Sequence, residues 1–201
     1  MKRAVLVLTI CVCALAQQRK DGLYAVFETS RGTFTARLLE KYAPKTVENF
    51  VALANGTKPT YDLETKTMVT RRLYDNITFH RVVPGEMIQS GDPTGLGTHP
   101  CGVKLKDEIL PGLRFDTGGK LAMANTGQPD SGGCQWFVTV DAVRPWDGQY
   151  TIFGEVVEGM SVVSKINHEK VRGDKPVDPV KLIKVTIERV GPEPVQKSRK
   201  K

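Results

Sequence analysis

The stretch Phe79–Gln89 reads Phe-His-Arg-Val-Val-Pro-Gly-Glu-Met-Ile-Gln and is the most informative part of this 201-residue chain. Its β-rich residues and the central Pro84-Gly85 favour short extended segments joined by a turn. Arg81, Met87 and Gln89 are separated by even steps, so in one extended segment their side chains would project to a common side. The turn weakens this inference for Arg81, but it does not weaken the link between Met87 and Gln89.

Three further blocks follow in the chain. They are Gly118–Gly127 (GGKLAMANTG), Ser131–Thr139 (SGGCQWFVT) and Trp146–Glu158 (WDGQYTIFGEVVE). Together with Phe79–Gln89, these blocks make the chain resemble the cyclophilins, a family of peptidyl-prolyl cis/trans isomerases. The resemblance covers about residues 22–190. It implies a mainly β fold, a closed eight-stranded antiparallel β-barrel capped by two α-helices.

The residue pattern supports the same fold class. Apolar and polar residues alternate from Leu23 onward, with a hairpin turn at Ser30-Arg31-Gly32. Pro44–Gly56 has apolar residues at helical spacing between a first-turn proline and a terminal glycine, which predicts a helix. Residues 57–73 are polar and are interpreted as a loop between the predicted helix and the next strand. The other predicted elements are strands at Ile77–Val83, Lys120–Ala124, Gln135–Val140, Thr151–Val157 and Lys184–Val190, and a helix over about Met160–His168.

The N-terminal residues have the pattern of a secretory signal peptide. Lys2 and Arg3 precede the almost wholly apolar segment Ala4–Ala16, which ends in the small-x-small sequence Ala14-Leu15-Ala16. The apolar segment is too short to predict a membrane span. We therefore expect cleavage after Ala16 and export, to a periplasm or the medium. The predicted divisions are a signal peptide at 1–16, a short linker at 17–21, a cyclophilin-like isomerase domain at 22–191 and a basic flexible tail at 192–201.

The formal net charge of +7 is concentrated at the two ends of the chain. Two cations lie in the predicted signal peptide and four lie in the last five residues, so the rest of the chain carries about +1. A nearly neutral body with a short basic tail does not predict nucleic-acid binding.

The four cysteines divide into two pairs. Cys11 and Cys13 fall in the predicted signal, and the bulky residue before each argues against a lipoprotein cleavage site. Cys101 and Cys134 remain after cleavage, and two thiols in an oxidising compartment can pair. The resemblance places these two cysteines in adjoining loops, which suggests a disulfide. Two buried free thiols are the alternative.

Rotation about an Xaa-Pro bond passes through a state without amide resonance, over a barrier of about 18–20 kcal/mol. No bond to a heavy atom is made or broken, so we expect no cofactor and no metal. The reaction needs an apolar slot for the proline ring, anchors for the flanking backbone, and a donor aimed at the prolyl nitrogen. The resemblance implies that Arg81 is this catalytic donor, and a protonated, forked guanidinium suits the role.

The resemblance also implies a substrate-binding set. Its members are Met87, Gln89, Ala124, Asn125, Gln135, Phe137, Trp146 and Tyr150. Met87 and Phe137 would line the proline pocket, while Gln89 and Asn125 would bond the substrate backbone. Gln135 would serve the residue before proline.

Two departures from the family pattern affect these expectations. Glu86 stands where the family usually has phenylalanine. It either turns to solvent, or it modulates activity by pairing with Arg81 or by recruiting basic substrate residues. Pro145 stands where the family has the tryptophan that binds cyclosporin, so weak cyclosporin binding is expected unless Trp146 moves into that position. Tyr150 replaces a histidine and keeps an apolar face and a polar tip.

The sequence thus predicts an isomerase that acts on proline-containing polypeptides and assists the folding of exported proteins. The alternative is a weakly catalytic module of the same fold that binds Pro-containing segments as a chaperone or scaffold. We expect a monomer with no nucleic-acid partner and no membrane span.

Overall fold

The computed structural model describes residues 19–99 and 101–193, so the predicted signal peptide and most of the predicted basic tail lie outside the described residues. The strands are β1 (Gly22–Thr29), β2 (Gly32–Leu38), β3 (Pro59–Asp62), β4 (Thr67–Thr70), β5 (Ile77–Thr78), β6 (Arg81–Val83), β7 (Met87–Ser90), β8 (Lys120–Met123), β9 (Trp136–Thr139), β10 (Ile152–Glu158), β11 (Val171–Arg172), β12 (Lys175–Pro176) and β13 (Lys181–Val190). The helices are α1 (Pro44–Asn55) and α2 (Met160–Asn167), and a single 3-10 turn spans Arg144–Trp146.

Nine strands form one curled antiparallel sheet in the order β5-β13-β1-β2-β10-β8-β9-β7-β6. The mainly β prediction with two helices is confirmed, and this sheet has nine strands rather than the expected eight. The predicted strand Ile77–Val83 divides at Phe79 and His80, and its two parts pair at opposite ends of the sheet. Only two residues separate β5 from β6, so the sheet must curl until its ends approach each other.

Helix α1 begins and ends where the sequence predicts. Pro44 occupies the first turn, and Gly56 adopts a left-handed φ of 70° immediately after the last helical residue. A side chain at Gly56 would also meet the backbone nitrogen of Arg72 at 2.6 Å. At the other end, the Glu108 carboxylate accepts hydrogen bonds from the backbone N–H groups of Lys45 and Thr46 at 3.0 and 2.8 Å. This distant carboxylate satisfies N–H groups that the helix itself cannot.

The core contains two apolar clusters, and the smaller one lies under the candidate site. In the larger cluster the rings of Phe27 and Phe34 stack at 4.5 Å between centroids, and Trp136 meets Phe27 edge-on at 5.0 Å. The smaller cluster is built on five buried residues: Met87, Phe115, Ala122, Phe137 and Ile152. Because side chains alternate along β9, Trp136 enters the larger cluster and Phe137 the smaller one.

Two hairpins were not predicted from the sequence. The polar stretch 57–73 contains the β3–β4 hairpin, whose turn is held by backbone N–H groups donating to the Asp62 carboxylate. The β11–β12 hairpin consists of two short strands that begin at Val171 and end at Pro176. Such two-residue strands have no detectable period, so pattern reasoning could not find them.

The part of the predicted linker that the structure describes lies against the sheet. The Arg19 guanidinium pairs with Glu158 at 2.8 Å and with Glu188 at 2.7 Å, and the Tyr24 hydroxyl donates to the Lys20 carbonyl. Within residues 19–99 and 101–193, no helix is long and apolar enough to cross a membrane.

Candidate active site

A row of paired residues crosses four neighbouring strands and forms the base of the site. Arg81 on β6 pairs with Gln89 on β7, Gln89 pairs with Phe137 on β9, and Phe137 pairs with Ala122 on β8. Directly paired residues of antiparallel strands project to the same face of the sheet. The register therefore brings a guanidinium, an amide and an aromatic ring together from strands that are remote in sequence.

These side chains open into a groove of about 700 Å³. Its lining includes eight of the residues predicted from the sequence, namely Arg81, Met87, Gln89, Ala124, Asn125, Phe137, Trp146 and Tyr150. Gln135 lies at the edge, where it lines an adjoining cavity of about 400 Å³ together with Gln89 and Asn125. The structure thus brings together all nine residues predicted for catalysis and substrate binding.

The floor of the groove is apolar and aromatic. Met87 and Phe137 are 2% and 3% exposed, and the rings of Trp146 and Tyr150 meet Phe137 edge-on at 5.4 and 5.2 Å. Phe115, which sequence reasoning missed, is fully buried and stacks on Phe137 at 5.9 Å. These contacts hold the rings in fixed orientations around a slot that can accept a small apolar ring.

One wall of the groove is a chain of hydrogen-bonded polar side chains. The Arg81 Nε donates to Asp174 Oδ2 at 2.9 Å, and the Arg81 Nη1 lies 3.4 Å from Gln89 Oε1. Gln89 Nε2 donates to Gln135 Oε1 at 2.9 Å, and Gln135 Nε2 donates to the Gly97 carbonyl at 3.1 Å. Because Asp174 engages Nε, the remaining Nη hydrogens of Arg81 are available to a ligand.

The Asn125 side chain is held in place by its own loop and by the loop that carries Gln149. Its Nδ2 donates to the Gln149 carbonyl at 3.0 Å, and its Oδ1 accepts from the Gly127 N–H at 3.0 Å. Asn125 thus faces the groove with a fixed amide and can bond an extended peptide without reading the peptide's side chains.

The structure distinguishes the two interpretations of Glu86. The Glu86 side chain is exposed and is not part of the groove lining, and the carboxylate that pairs with Arg81 belongs to Asp174. Asp174 was missed in the sequence because it lies 93 residues from Arg81, on the unpredicted β11–β12 hairpin. This arrangement favours the interpretation in which Glu86 turns to solvent.

His80 lies beside Arg81 and is 8% exposed. Within the described part of the chain, neither of its ring nitrogens meets a hydrogen-bond partner. Burial lowers the pKa of His80, although the nearby Asp92 carboxylate opposes the shift. Because the ordinary pKa of histidine is already below 7, His80 is a neutral imidazole at neutral pH.

The turn between β6 and β7 is attached to helix α2 through one buried side chain. Asn167 Nδ2 donates to the carbonyls of Val83 and Met87 at 2.8 and 3.0 Å, and its Oδ1 accepts from the Gly85 N–H at 2.8 Å. Asn167 is 2% exposed, so removing it would leave these backbone groups without a partner. Helix α2 therefore fixes the turn that carries Met87 into the groove.

Replacing Asn167 by alanine is expected to lower the free energy of unfolding by about 1–3 kcal/mol, the cost of leaving buried polar groups unsatisfied. Urea unfolding followed by circular dichroism measures the change. Ser161→Ala, at an exposed position of the same helix, is the matched control. An unchanged unfolding midpoint for Asn167→Ala would show that the turn does not depend on this side chain.

A disulfide joins Cys101 to Cys134, with the two Cα atoms 6.2 Å apart. The bond ties the loop after β7 to the segment before β9, and Cys134 directly precedes Gln135 in the polar wall. Of the two alternatives that the sequence left open, the structure contains the disulfide.

Comparison with known proteins agrees with the family resemblance of the sequence. A family model described as cyclophilin type peptidyl-prolyl cis-trans isomerase/CLD matches residues 24–187. Peptidyl-prolyl cis-trans isomerase B of Streptomyces anulatus is 45% identical over 172 residues, which cover 84% of this chain and 98% of that protein. Peptidyl-prolyl cis-trans isomerase-like 1 of Aspergillus fumigatus is 42% identical over 173 residues, which cover 84% of this chain and 97% of that protein.

A solved structure shares the fold. The crystal structure of a cyclophilin type peptidyl-prolyl cis-trans isomerase of Cryptosporidium parvum, determined in the presence of the dipeptide Ala-Pro, matches with a TM-score of 0.72 and 28% sequence identity. The match covers 83% of this chain and 99% of that one.

Proposed function

Because the chain belongs to the cyclophilin-type peptidyl-prolyl cis-trans isomerase family, we propose that it catalyses rotation about Xaa-Pro bonds with Arg81 as the hydrogen-bond donor to the prolyl nitrogen. The observation that carries this assignment is the position of the Arg81 guanidinium beside an apolar slot, with Nε engaged by Asp174 and Nη hydrogens available. A substrate ring seated on Met87 and Phe137 would bring its nitrogen to the same end of the groove.

The chemistry follows from the loss of amide resonance. As the C–N bond rotates, the lone pair of the prolyl nitrogen is no longer delocalised into the carbonyl, and the nitrogen becomes a hydrogen-bond acceptor. An Arg81 N–H directed at this nitrogen interacts more strongly with the twisted state than with either planar isomer, so it lowers the barrier. Because the guanidinium is already oriented by Asp174, little reorganisation is needed during rotation.

The flanking backbone must be held while the bond rotates. The amides of Gln89, Asn125 and Gln135 offer donors and acceptors along the groove, and each is already oriented by a neighbouring group. Backbone recognition of this kind leaves the residues around proline free to vary. We propose proline-containing segments of many sequences as substrates, and no covalent intermediate.

The export of the protein, a monomeric state and weak cyclosporin binding are parts of the same proposal. The apolar N-terminal segment supports export, and Pro145 in place of an aromatic residue supports weak cyclosporin binding. Trp146 packs edge-on against Phe137 and Phe115, and this packing argues against movement of its ring into the position of the tryptophan that Pro145 replaces. Size-exclusion chromatography and a calorimetric titration with cyclosporin test the last two statements.

One measurement distinguishes an isomerase from a weakly catalytic binding module of the same fold. Exchange NMR on a short Ala-Pro peptide reports cis-to-trans interconversion directly, and we expect catalytic acceleration by the wild-type protein. Because the Glu86 side chain lies outside the groove lining, Glu86→Phe is expected to change kcat/KM by less than about tenfold. A wild type that binds the peptide without accelerating exchange, together with turnover restored by Glu86→Phe, would favour the binding module.

A further inference from the structure

The β11–β12 hairpin forms one edge of the groove and carries two cations. Arg172 and Lys175 are paired across the hairpin, both line the groove, and both are exposed. In the part of the chain that the structure describes, no carboxylate lies within ion-pair distance of either side chain. Other arginines of the protein, such as Arg31 and Arg189, are paired with carboxylates.

The hairpin is held in a fixed position relative to Arg81. The Val82 N–H donates to the Asp174 carbonyl at 2.7 Å, and the Asp174 carboxylate pairs with the Arg81 guanidinium. Pro176 is buried, and the Val177 N–H closes the base of the hairpin on the Lys170 carbonyl at 2.8 Å. The hairpin that carries the two cations is therefore fixed beside Arg81.

The groove carries an excess of positive charge. Its charged lining residues are three cations, Arg81, Arg172 and Lys175, and one carboxylate, Asp174. Because Asp174 is engaged by Arg81, it offers little compensation to the other two cations. A concave surface lined mainly by one sign of charge attracts ligands of the opposite sign.

His80 also lines the groove. Burial lowers the pKa of the neighbouring His80, and the positive charges of Arg81 and Lys175 act in the same direction. His80 is thus neutral and does not add a cation of its own, and the preference must come from the arginine and lysine side chains.

We propose that the groove selects proline-containing peptides with acidic residues in the segment that follows proline. This inference rests on the proposed function, because it takes Gln135 as the anchor for the residue before proline. The polar wall runs from Gln135 through Gln89 and Arg81 to Asp174, so the hairpin stands at the opposite end. An extended chain advances about 3.3 Å per residue, which brings the first two residues after proline within reach of Arg172 and Lys175.

The expected effect is moderate because the cations are exposed. Two solvent-exposed ion pairs together change kcat/KM by about three- to tenfold, and salt weakens them. We therefore expect a higher kcat/KM for peptides with acidic residues after proline, and we do not expect acidic residues to be required for activity.

The test uses the full chain and four blocked peptides followed by exchange NMR. The host is Ala-Ala-Ala-Pro-Ala-Ala, and its relatives carry glutamate at both positions after proline, lysine at both positions after proline, or glutamate at the first two positions. We expect the highest kcat/KM for glutamate after proline and the lowest for lysine after proline, with the difference shrinking between about 20 and about 300 mM salt. Glutamate at the first two positions is expected to give no comparable gain.

Charge reversal at the hairpin should invert this order. Arg172→Glu combined with Lys175→Glu is expected to favour the lysine peptide, while Lys41→Glu combined with Lys66→Glu is the matched control. Lys41 and Lys66 are exposed residues outside the groove lining, so their reversal changes net charge equally and should retain the order. Circular dichroism confirms that each variant is folded.

Equal kcat/KM values for the glutamate and lysine peptides in the wild type would overturn the inference, as would a preference that survives the double reversal. Failure of the proposed function has a different signature, because the neutral host peptide would then exchange at its uncatalysed rate. In that case the charge preference is tested by the dissociation constants of the four peptides, measured by chemical-shift titration. The inference then predicts the tightest binding for glutamate after proline and the weakest for lysine after proline.

Discussion

Replacing Arg81 by alanine is expected to lower kcat/KM for an Xaa-Pro peptide by about 10²–10³, the usual effect of removing one preorganised donor to a transition state. The loss should appear mainly in kcat, because the donor is needed most when the prolyl nitrogen has lost its resonance. The apolar slot of Met87 and Phe137 remains in the variant, so the peptide should still bind. Exchange NMR at several peptide concentrations separates kcat from KM.

Two further variants make this result specific. Arg81→Lys retains the positive charge but lacks the planar fork, so it should recover only a small part of the activity. Arg114→Ala removes an exposed arginine outside the groove lining and should leave kcat/KM unchanged. An Arg81→Ala protein that keeps more than about a third of wild-type kcat/KM would contradict the assigned role, since a positioned donor is worth far more than that.

Removing the Cys101–Cys134 disulfide is expected to lower the free energy of unfolding by about 3–4 kcal/mol. The two cysteines are 33 residues apart, and in the chain-entropy model closing a loop of this length restricts the unfolded chain by about that amount. Both cysteines are buried, so the bond is also part of the packed core. Guanidinium unfolding of the double Cys101→Ala, Cys134→Ala variant, compared with the oxidised wild type, measures the loss.

The reduced wild-type protein is the control for the loss of the two cysteine side chains in the double variant. It retains both sulfur atoms, so it should lose most of the same stability, whereas the double variant should not respond to reductant. If the oxidised and reduced wild-type proteins unfold at the same denaturant concentration, the disulfide does not contribute to stability in this protein.

Much of the site could be predicted because its determinants are local. The even spacing of Met87 and Gln89 places both on one face of β7. Trp136 and Phe137 are consecutive, so their side chains lie on opposite faces of β9. Side-chain alternation in a strand has a period of two residues and needs no information from the rest of the chain. The ends of α1 were predicted on the same basis, because proline and glycine act within one turn of the helix.

Other parts of the site could not be predicted because they depend on contacts between distant residues. Asp174 and Asn167 touch Arg81 and the β6–β7 turn from more than 80 residues away, and the hairpin that carries Asp174 has strands of only two residues. Phe115 comes from a loop with no recognisable pattern and is buried only because the smaller core cluster forms around it.

Motif order, strand alternation and helix capping are properties of adjacent residues. They were therefore enough to predict the family, the mainly β architecture with two helices, and nine side chains that lie in or beside the groove. Which carboxylate faces Arg81, where Glu86 lies, and that Arg172 and Lys175 line the groove depend on how the whole chain folds. They follow from the curvature of the sheet and from the packing of the hairpin against it. Both bring together residues that are far apart in the sequence, so no local pattern predicts these contacts.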